Sequence, residues 1–183
     1  MHELIERKTI FEGHVIKLYL DQVKLPNGKP AEREVVLHGG AVGIVPLDAD
    51  GCITLVRQYR HATGEYLLEI PAGKLDPGES PESCAVRELI EEVGLAAGRW
   101  IKLSEFYTSP GFSNEVLHLY LALDLEPREA APEEDEFLEV ERMSLEDALE
   151  AVRKLEIRDS KTVAGIALTA LWRTAQAGGN VAG

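Results

Sequence analysis

The chain has 183 residues, of which 45% are hydrophobic and 28% charged, the make-up of one soluble globular domain with a substantial core. Its formal net charge is −13, which opposes binding to nucleic-acid phosphates and to anionic membrane surfaces, although metal ions can still bring a phosphorylated small molecule to such a surface. No apolar run approaches the roughly 20 residues of a membrane span, the start MHELIERKTI is too polar for a secretory signal, and Cys52 and Cys84 share no motif and read as reduced thiols, so a cytoplasmic location is expected.

Residues 3–38 read as strands. Ile16, Leu18 and Leu20 alternate with Lys17, Tyr19 and Asp21, the period of a half-buried strand. Pro26-Asn27-Gly28-Lys29 is a turn signal that joins 13–24 to 31–38 as a hairpin. Residues 41–47 and 52–58 flank Asp48-Ala49-Asp50-Gly51, which reads as a second hairpin turn. Residues 66–70 form a short strand broken by Pro71, and Asp76-Pro77-Gly78 is a further turn. A helix then opens with Ser80 as N-cap, Pro81 in the first helical position and Glu82 at the positive dipole end, and Gly94 is placed to end it.

Residues 100–107 and 115–124 are expected as strands around the loop Thr108 to Asn114, 125–136 as an acidic loop and 137–142 as the last strand. Ser144 caps a helix to about Leu155, and Asp159 or Ser160 caps a terminal helix to about Gln176. Strands, one central helix, more strands and two helices define an α+β or α/β sandwich in one domain, without repeats or a long linker.

On the central helix, Ala85, Val86, Leu89, Ile90 and Val93 share one side and Arg87, Glu88, Glu91 and Glu92 the other. Glu88, Glu91 and Glu92 stand at i, i+3 and i+4, where like charges repel by tenths of a kcal/mol per pair. A solvated face tolerates that repulsion; hard cations would turn it into ligation. Arg87 can pair with Glu91 one turn on, and Glu79 can reach the same guanidinium. Cys84 falls one turn before Glu88 and reads as a small packing residue.

From Gly73 to Leu95 the chain reads GKLDPGESPESCAVRELIEEVGL. Gly73, Glu79, Arg87, Glu88, Leu89, Glu91, Glu92, Gly94 and Leu95 match G-x5-E-x7-R-E-U-x-E-E-x-G-U, U being aliphatic, without a mismatch. The chain therefore resembles the Nudix hydrolases, which cleave nucleoside diphosphates linked to another group X. The resemblance implies a mixed sheet between helices, an α/β/α sandwich, preceded by a small N-terminal antiparallel sheet. It implies two or three Mg²⁺ per site, with Mn²⁺ as a substitute. It also implies metal ligation by the Ala72 carbonyl, Glu88 and Glu92, with Glu91 accessory, and bracing of the loop onto the helix by Gly73, Glu79 and Arg87. The chemistry suits these types, because cations on oxygen ligands neutralise a diphosphate and acidify bound water.

Other segments resemble the ADP-ribose pyrophosphatase branch: Pro110 15 residues beyond Leu95, Arg57-Gln58-Tyr59-Arg60, Glu69-Ile70-Pro71-Ala72-Gly73, His38 to Val42, and Asp159-x-Lys161-Thr162. Each candidate binding residue keeps two readings. Arg57 clamps a phosphate or forms a surface ion pair, and Glu115 accepts from ribose hydroxyls or simply opens a strand. Arg33 stacks on adenine or is solvated, and Pro110-Gly111 shapes the pocket or links two strands. Related enzymes draw their base from the loop before the last strand; register favours Glu134 as base and Glu136 as an extra metal contact, with Glu133 a neighbouring choice.

The expectation is an Mg²⁺-dependent ADP-ribose pyrophosphatase giving AMP and ribose 5-phosphate. It would be a homodimer built through residues 1–38, with 39–178 as catalytic core and each pocket completed by its partner. Enzymes for other nucleotide sugars or for FAD, NADH or GDP-mannose are the nearest rivals. A non-hydrolytic sensing module and a role on oxidised nucleoside triphosphates are more distant ones.

Overall fold

Side-chain alternation and turn chemistry set the first three strands. β1 (Glu3–Glu12), β2 (Ile16–Lys24) and β3 (Pro30–His38) form an antiparallel sheet in the order β1-β2-β3. At the β2–β3 turn, Gly28 N–H donates to Leu25 O (2.8 Å) and Lys29 N–H to Asn27 Oδ1 (3.1 Å), which fixes the Lys24–Pro30 register. The structure is a computed structural model that describes residues 2–131 and 137–179. Its contacts gather the chain into two units, Met1–Gly40 with Phe106–Leu117, and Ala41–Glu105 with His118–Gly183.

In the first unit, Arg7 pairs Asp21 through two 2.7 Å bonds and lies over the Tyr19 ring at 4.7 Å. The loop after Thr108 docks on β3, where Val36 N–H donates to Phe112 O (2.7 Å) and Asn114 N–H to Val36 O (3.2 Å).

A further sheet runs β7 (Ala72–Lys74), β4 (Ala41–Pro46), β9 (Val116–Pro127), β8 (Leu95–Tyr107), in that order. A smaller sheet runs β10 (Glu139–Ser144), β5 (Cys52–Arg60), β6 (Glu65–Glu69). Helices cover both faces of β4, and its period of two shows how. Val42 and Ile44 pack with Cys84, Ala85 and Leu89 of α1 (Pro81–Val93) and with Tyr120 and Ala122 of β9. On the opposite face, Gly165 of α3 (Ser160–Gly179) nests against Val45, Ile70 and Leu119. α2 (Leu145–Arg153) buries Leu145, Ala148 and Ala151. This is the α+β sandwich with a small N-terminal sheet that the sequence implies.

Three details differ from the sequence reading. The 48–51 turn forms, with Gly51 N–H on Asp48 O (3.1 Å), but β4 and β5 share only an isolated Leu47–Ile53 bridge and enter different sheets. β4 is buried on both faces and takes β7 and β9 as neighbours, which leaves β5 to pair with β6 and β10. β8 starts at Leu95, directly after the helix cap, and β9 runs on to Pro127, into the expected loop. Finally, the buried stripe of α1 is Cys84, Ala85, Glu88, Leu89 and Glu92, whereas Val86 is 43% exposed. Burial of two carboxylates in place of an aliphatic side chain is what a site requires and a merely amphipathic helix does not.

Candidate active site

Local signals deliver α1 to the site. Ser80 Oγ accepts from Ser83 N–H (3.2 Å), Pro81 takes the first helical position, and Gly94 at φ 62° ends the helix by donating to Ile90 O (3.0 Å). A β-carbon at Gly94 would also stand 2.9 Å from Arg128 O. Cys84 is fully buried and donates to Lys74 O (3.3 Å), so it packs as expected. Burial, together with the charges of Glu79 and Glu88, pushes its thiol up to about 12.

Between this helix and β7 lie the two buried carboxylates, Glu88 and Glu92. Glu92 Oε2 accepts from Ala72 N–H at 2.9 Å. The Glu88 carboxylate occupies the space a side chain at Gly73 would fill. Arg87 organises the acids around them. Its Nε and Nη2 hold Glu79 at 3.0 and 2.9 Å, and its Nη1 reaches Glu88 (2.7 Å) and Glu91 (3.0 Å). These hydrogen bonds, the one to Glu79 above all, raise the Arg87 pKa, and Arg87 with the Asp76 N–H draws Glu79 down to about 2. The loop from 74 to 80 is thereby tied to the helix through one guanidinium.

The donor set is hard oxygen throughout. Among the described residues no three His, Cys, Asp or Glu side chains gather in a metal-holding cluster. Two carboxylates beside a backbone segment suit Mg²⁺, which keeps waters and takes substrate phosphates, better than an all-protein calcium cage.

Glu92 also lines a cavity of about 430 Å³ with Arg57, Tyr66, Ala130, Phe137, Leu138, Glu139 and Val140. Arg57 lines the same cavity as Glu92 and donates to Glu141 at 2.6 Å, an ion pair as in the second of its sequence readings. Tyr66 and Phe137, 65% and 82% exposed, are aromatic wall residues the sequence reading missed. Their one signal was an apolar residue directly after the acidic run and a cross-strand Tyr59–Tyr66 pair with rings 5.3 Å apart.

In the first unit, Arg33 and Gly111 line a cavity of about 320 Å³ with Leu20, Glu32, Glu34 and Phe112. Arg33 Nη1 donates to Glu32 O. Pro110 and Gly111 belong to a turn closed by Phe112 and Ser113 N–H on Ser109 O. Glu115 accepts from the Thr108 hydroxyl (2.5 Å) and lies 3.5 Å from His38 Nδ1. That nitrogen already accepts from Gly40 N–H (3.1 Å). Glu115 is therefore engaged by the protein rather than standing as a bare strand-start carboxylate. Glu133, Glu134 and Glu136 lie outside the described residues.

A buried-carboxylate helix capped by glycine and braced by arginine onto the preceding loop is the Nudix arrangement, and the chain belongs to the Nudix family, whose NUDIX domain profile matches residues 37–165. Residues 3–36 match the nucleoside diphosphate sugar hydrolase N-terminal domain. The chain is 46% identical to an ADP-ribose pyrophosphatase of Bacillus subtilis (strain 168), covering 94% of this chain and 95% of that one. It is 43% identical to a methanol dehydrogenase activator of Bacillus methanolicus, covering 91% and 94%. A crystal structure of an ADP compounds hydrolase superposes with a TM-score of 0.85 at 26% identity, over 96% of this chain and 95% of the other. Nudix enzymes generally use divalent metals. Among the described residues no helix is long and apolar enough to cross a membrane.

Proposed function

We propose that the protein hydrolyses the pyrophosphate bond of ADP-ribose to AMP and ribose 5-phosphate, with Mg²⁺ as cofactor, two or three ions per site, and Mn²⁺ as substitute. The observation that carries this reading is the pairing of buried Glu88 and Glu92 against Gly73 and Ala72, with Glu92 and Arg57 in one cavity wall. The near full-length likeness to an ADP-ribose pyrophosphatase supports the choice of substrate.

Glu88, Glu92 and the Ala72 carbonyl would hold the metal, with Glu91 and Glu136 as further contacts. When bound, the metal neutralises the diphosphate and lowers the pKa of a water. Arg57 steadies a phosphate oxygen. Glu134 takes the proton of the attacking water as the new P–O bond forms in line with the bridging P–O bond that breaks. Arg33 stacks on adenine, Pro110 and Gly111 shape its pocket, and Glu115 accepts from ribose hydroxyls.

The active form is a homodimer in the cytoplasm. β1 is an edge strand whose Leu4, Ile5, Ile10 and Phe11 are each about half exposed, a surface that pairing with a second copy would cover.

The test is a panel of ADP-ribose, ADP-glucose, GDP-mannose, FAD, NADH and 8-oxo-dGTP, assayed with Mg²⁺, with Mn²⁺ and with chelator. ADP-ribose with the highest kcat/KM and AMP as product supports the reading; a higher kcat/KM for another compound overturns the substrate. In the same assay Glu134→Gln is expected to lose kcat far more than KM, and an unchanged kcat moves the base to Glu133 or Glu136.

A further inference from the structure

A buried polar network stands behind the carboxylates and takes no part in the mechanism above. Glu69, 1% exposed, ends β6. Arg60 grips it with two bonds of 2.7 and 2.6 Å, and Lys161 bonds it from the first turn of α3. Burial pushes the Glu69 carboxyl up, yet Arg60 and Lys161 outweigh it and hold the group below the usual carboxylate range. Lys161 also pairs Asp159 at 3.0 Å. Asp159 Oδ2 caps α3 by accepting from the Thr162 N–H (3.0 Å) and hydroxyl (2.6 Å). Thr162 is fully buried, and its Oγ1 accepts in turn from Ile70 N–H at 2.9 Å.

Each residue of the segment before Gly73 is therefore held separately. Glu69 is held by its carboxylate and Ile70 by Thr162. The Pro71 carbonyl accepts from Ile44 N–H (2.8 Å), and Ala72 N–H donates to Glu92 (2.9 Å). A short stretch pinned at four consecutive residues has little freedom left, and its far end is the backbone that Glu92 grips. The charge of Glu92 also acts on Arg60, which joins the two clusters.

We propose that Thr162 is a positioning residue for the metal site. Its single hydroxyl, donating to Asp159 and accepting from Ile70, locks the 69–72 backbone so that the Ala72 carbonyl and Glu92 face one cation together. The inference rests on the reading of Glu88, Glu92 and Ala72 as metal ligands. Residues that orient ligands in this way cost about tenfold to a hundredfold in metal affinity when lost.

The experiment titrates Mn²⁺ into the full chain and reads free Mn²⁺ by electron paramagnetic resonance, alongside the melting temperature. Wild type, Thr162→Val, Thr162→Ala, Thr162→Ser and Glu92→Gln are compared. The expected result is a Mn²⁺ Kd raised at least about tenfold in the variants without the hydroxyl, with wild-type affinity restored in Thr162→Ser. A melting temperature lowered with an unchanged Kd assigns Thr162 a structural role only and overturns the proposal. So does failure of both hydroxyl-free variants to fold. If Glu92→Gln binds Mn²⁺ as wild type does, the metal-site reading itself fails; if only the Thr162 variants do, the ligand assignment survives and the positioning role does not.

Discussion

The Glu88 carboxylate lies directly over the α-carbon of Gly73: a β-carbon built there would stand 1.8 Å from Glu88 Oε1 and 1.9 Å from its Cδ. Real β-carbons do not approach other atoms that closely, so one of the two residues must move if Gly73 gains a side chain. Gly73→Ala is therefore expected to displace the carboxylate and cut kcat by about tenfold to a hundredfold. Steady-state kinetics beside a thermal melt checks this; wild-type kcat in a folded Gly73→Ala protein would remove Glu88 from the site.

Glu92 tests the other carboxylate. It is 5% exposed and accepts from Ala72 N–H through Oε2. Glu92→Gln preserves shape and removes charge, so it is expected to abolish turnover while circular dichroism and the melt stay near wild type. Turnover near wild type sinks the assignment.

Arg87 serves three acids at once, and its two bonds to Glu79 require a planar fork. Lysine carries the charge but not the fork. Arg87→Lys should lose about 1–3 kcal/mol of stability, the scale of a charged hydrogen bond left unmade in a partly buried place. Denaturant unfolding measures this, and a loss below about 0.5 kcal/mol would mean that water replaces the fork without penalty.

These relationships were legible in the sequence to different degrees, for physical reasons. The caps of α1 were readable because Ser80, Pro81 and Gly94 act within one helical turn of themselves. The Arg87–Glu91 pair was readable from i, i+4 spacing. That the buried side of α1 extends from Ala85 and Leu89 to Glu88 and Glu92 and leaves Val86 out was not readable, because a helical wheel orders residues around the axis but does not say how many elements pack on it. β4 takes Cys84, Ala85 and Leu89, and β7 shelters Glu88. The Arg57–Glu141 pair joins residues 84 apart in sequence, through a strand pairing that no local signal announces. Asp159 and Ser160 were equal candidates as caps until the Thr162 N–H was seen to choose Asp159. Long-range register decides each of the cases that local propensity left open.

Acid sensitivity follows from Glu79. Hydrogen bonding by Arg87, assisted by the Asp76 N–H, holds its carboxyl at about 2, against an ordinary value of 4.5. A depressed folded-state pKa gives stability that is complete above the unfolded value and is lost as pH falls toward the folded one. The stability difference between wild type and Glu79→Gln is therefore expected to be largest above pH 4.5 and to shrink toward pH 2. Melting temperatures of both proteins at pH 6, 4 and 3 measure it, and a gap that stays constant with pH would show that Glu79 gains nothing from its charge.

The edge strand supplies the last prediction. Among the described residues β1 pairs only with β2, and all ten of its residues are exposed, among them Leu4, Ile5, Ile10 and Phe11. An unpaired edge carrying that much apolar surface invites a partner strand, and a second copy brings the same surface by symmetry. Light scattering of the wild type is expected to give twice the 20.1 kDa chain mass. Ile10→Glu places a charge among these exposed apolar side chains and is expected to halve the mass. ADP-ribose turnover should fall with it if each pocket needs its partner, and keep its wild-type value if the pocket is complete in one chain. A wild-type monomer would mean that the exposed β1 side chains serve something other than self-association.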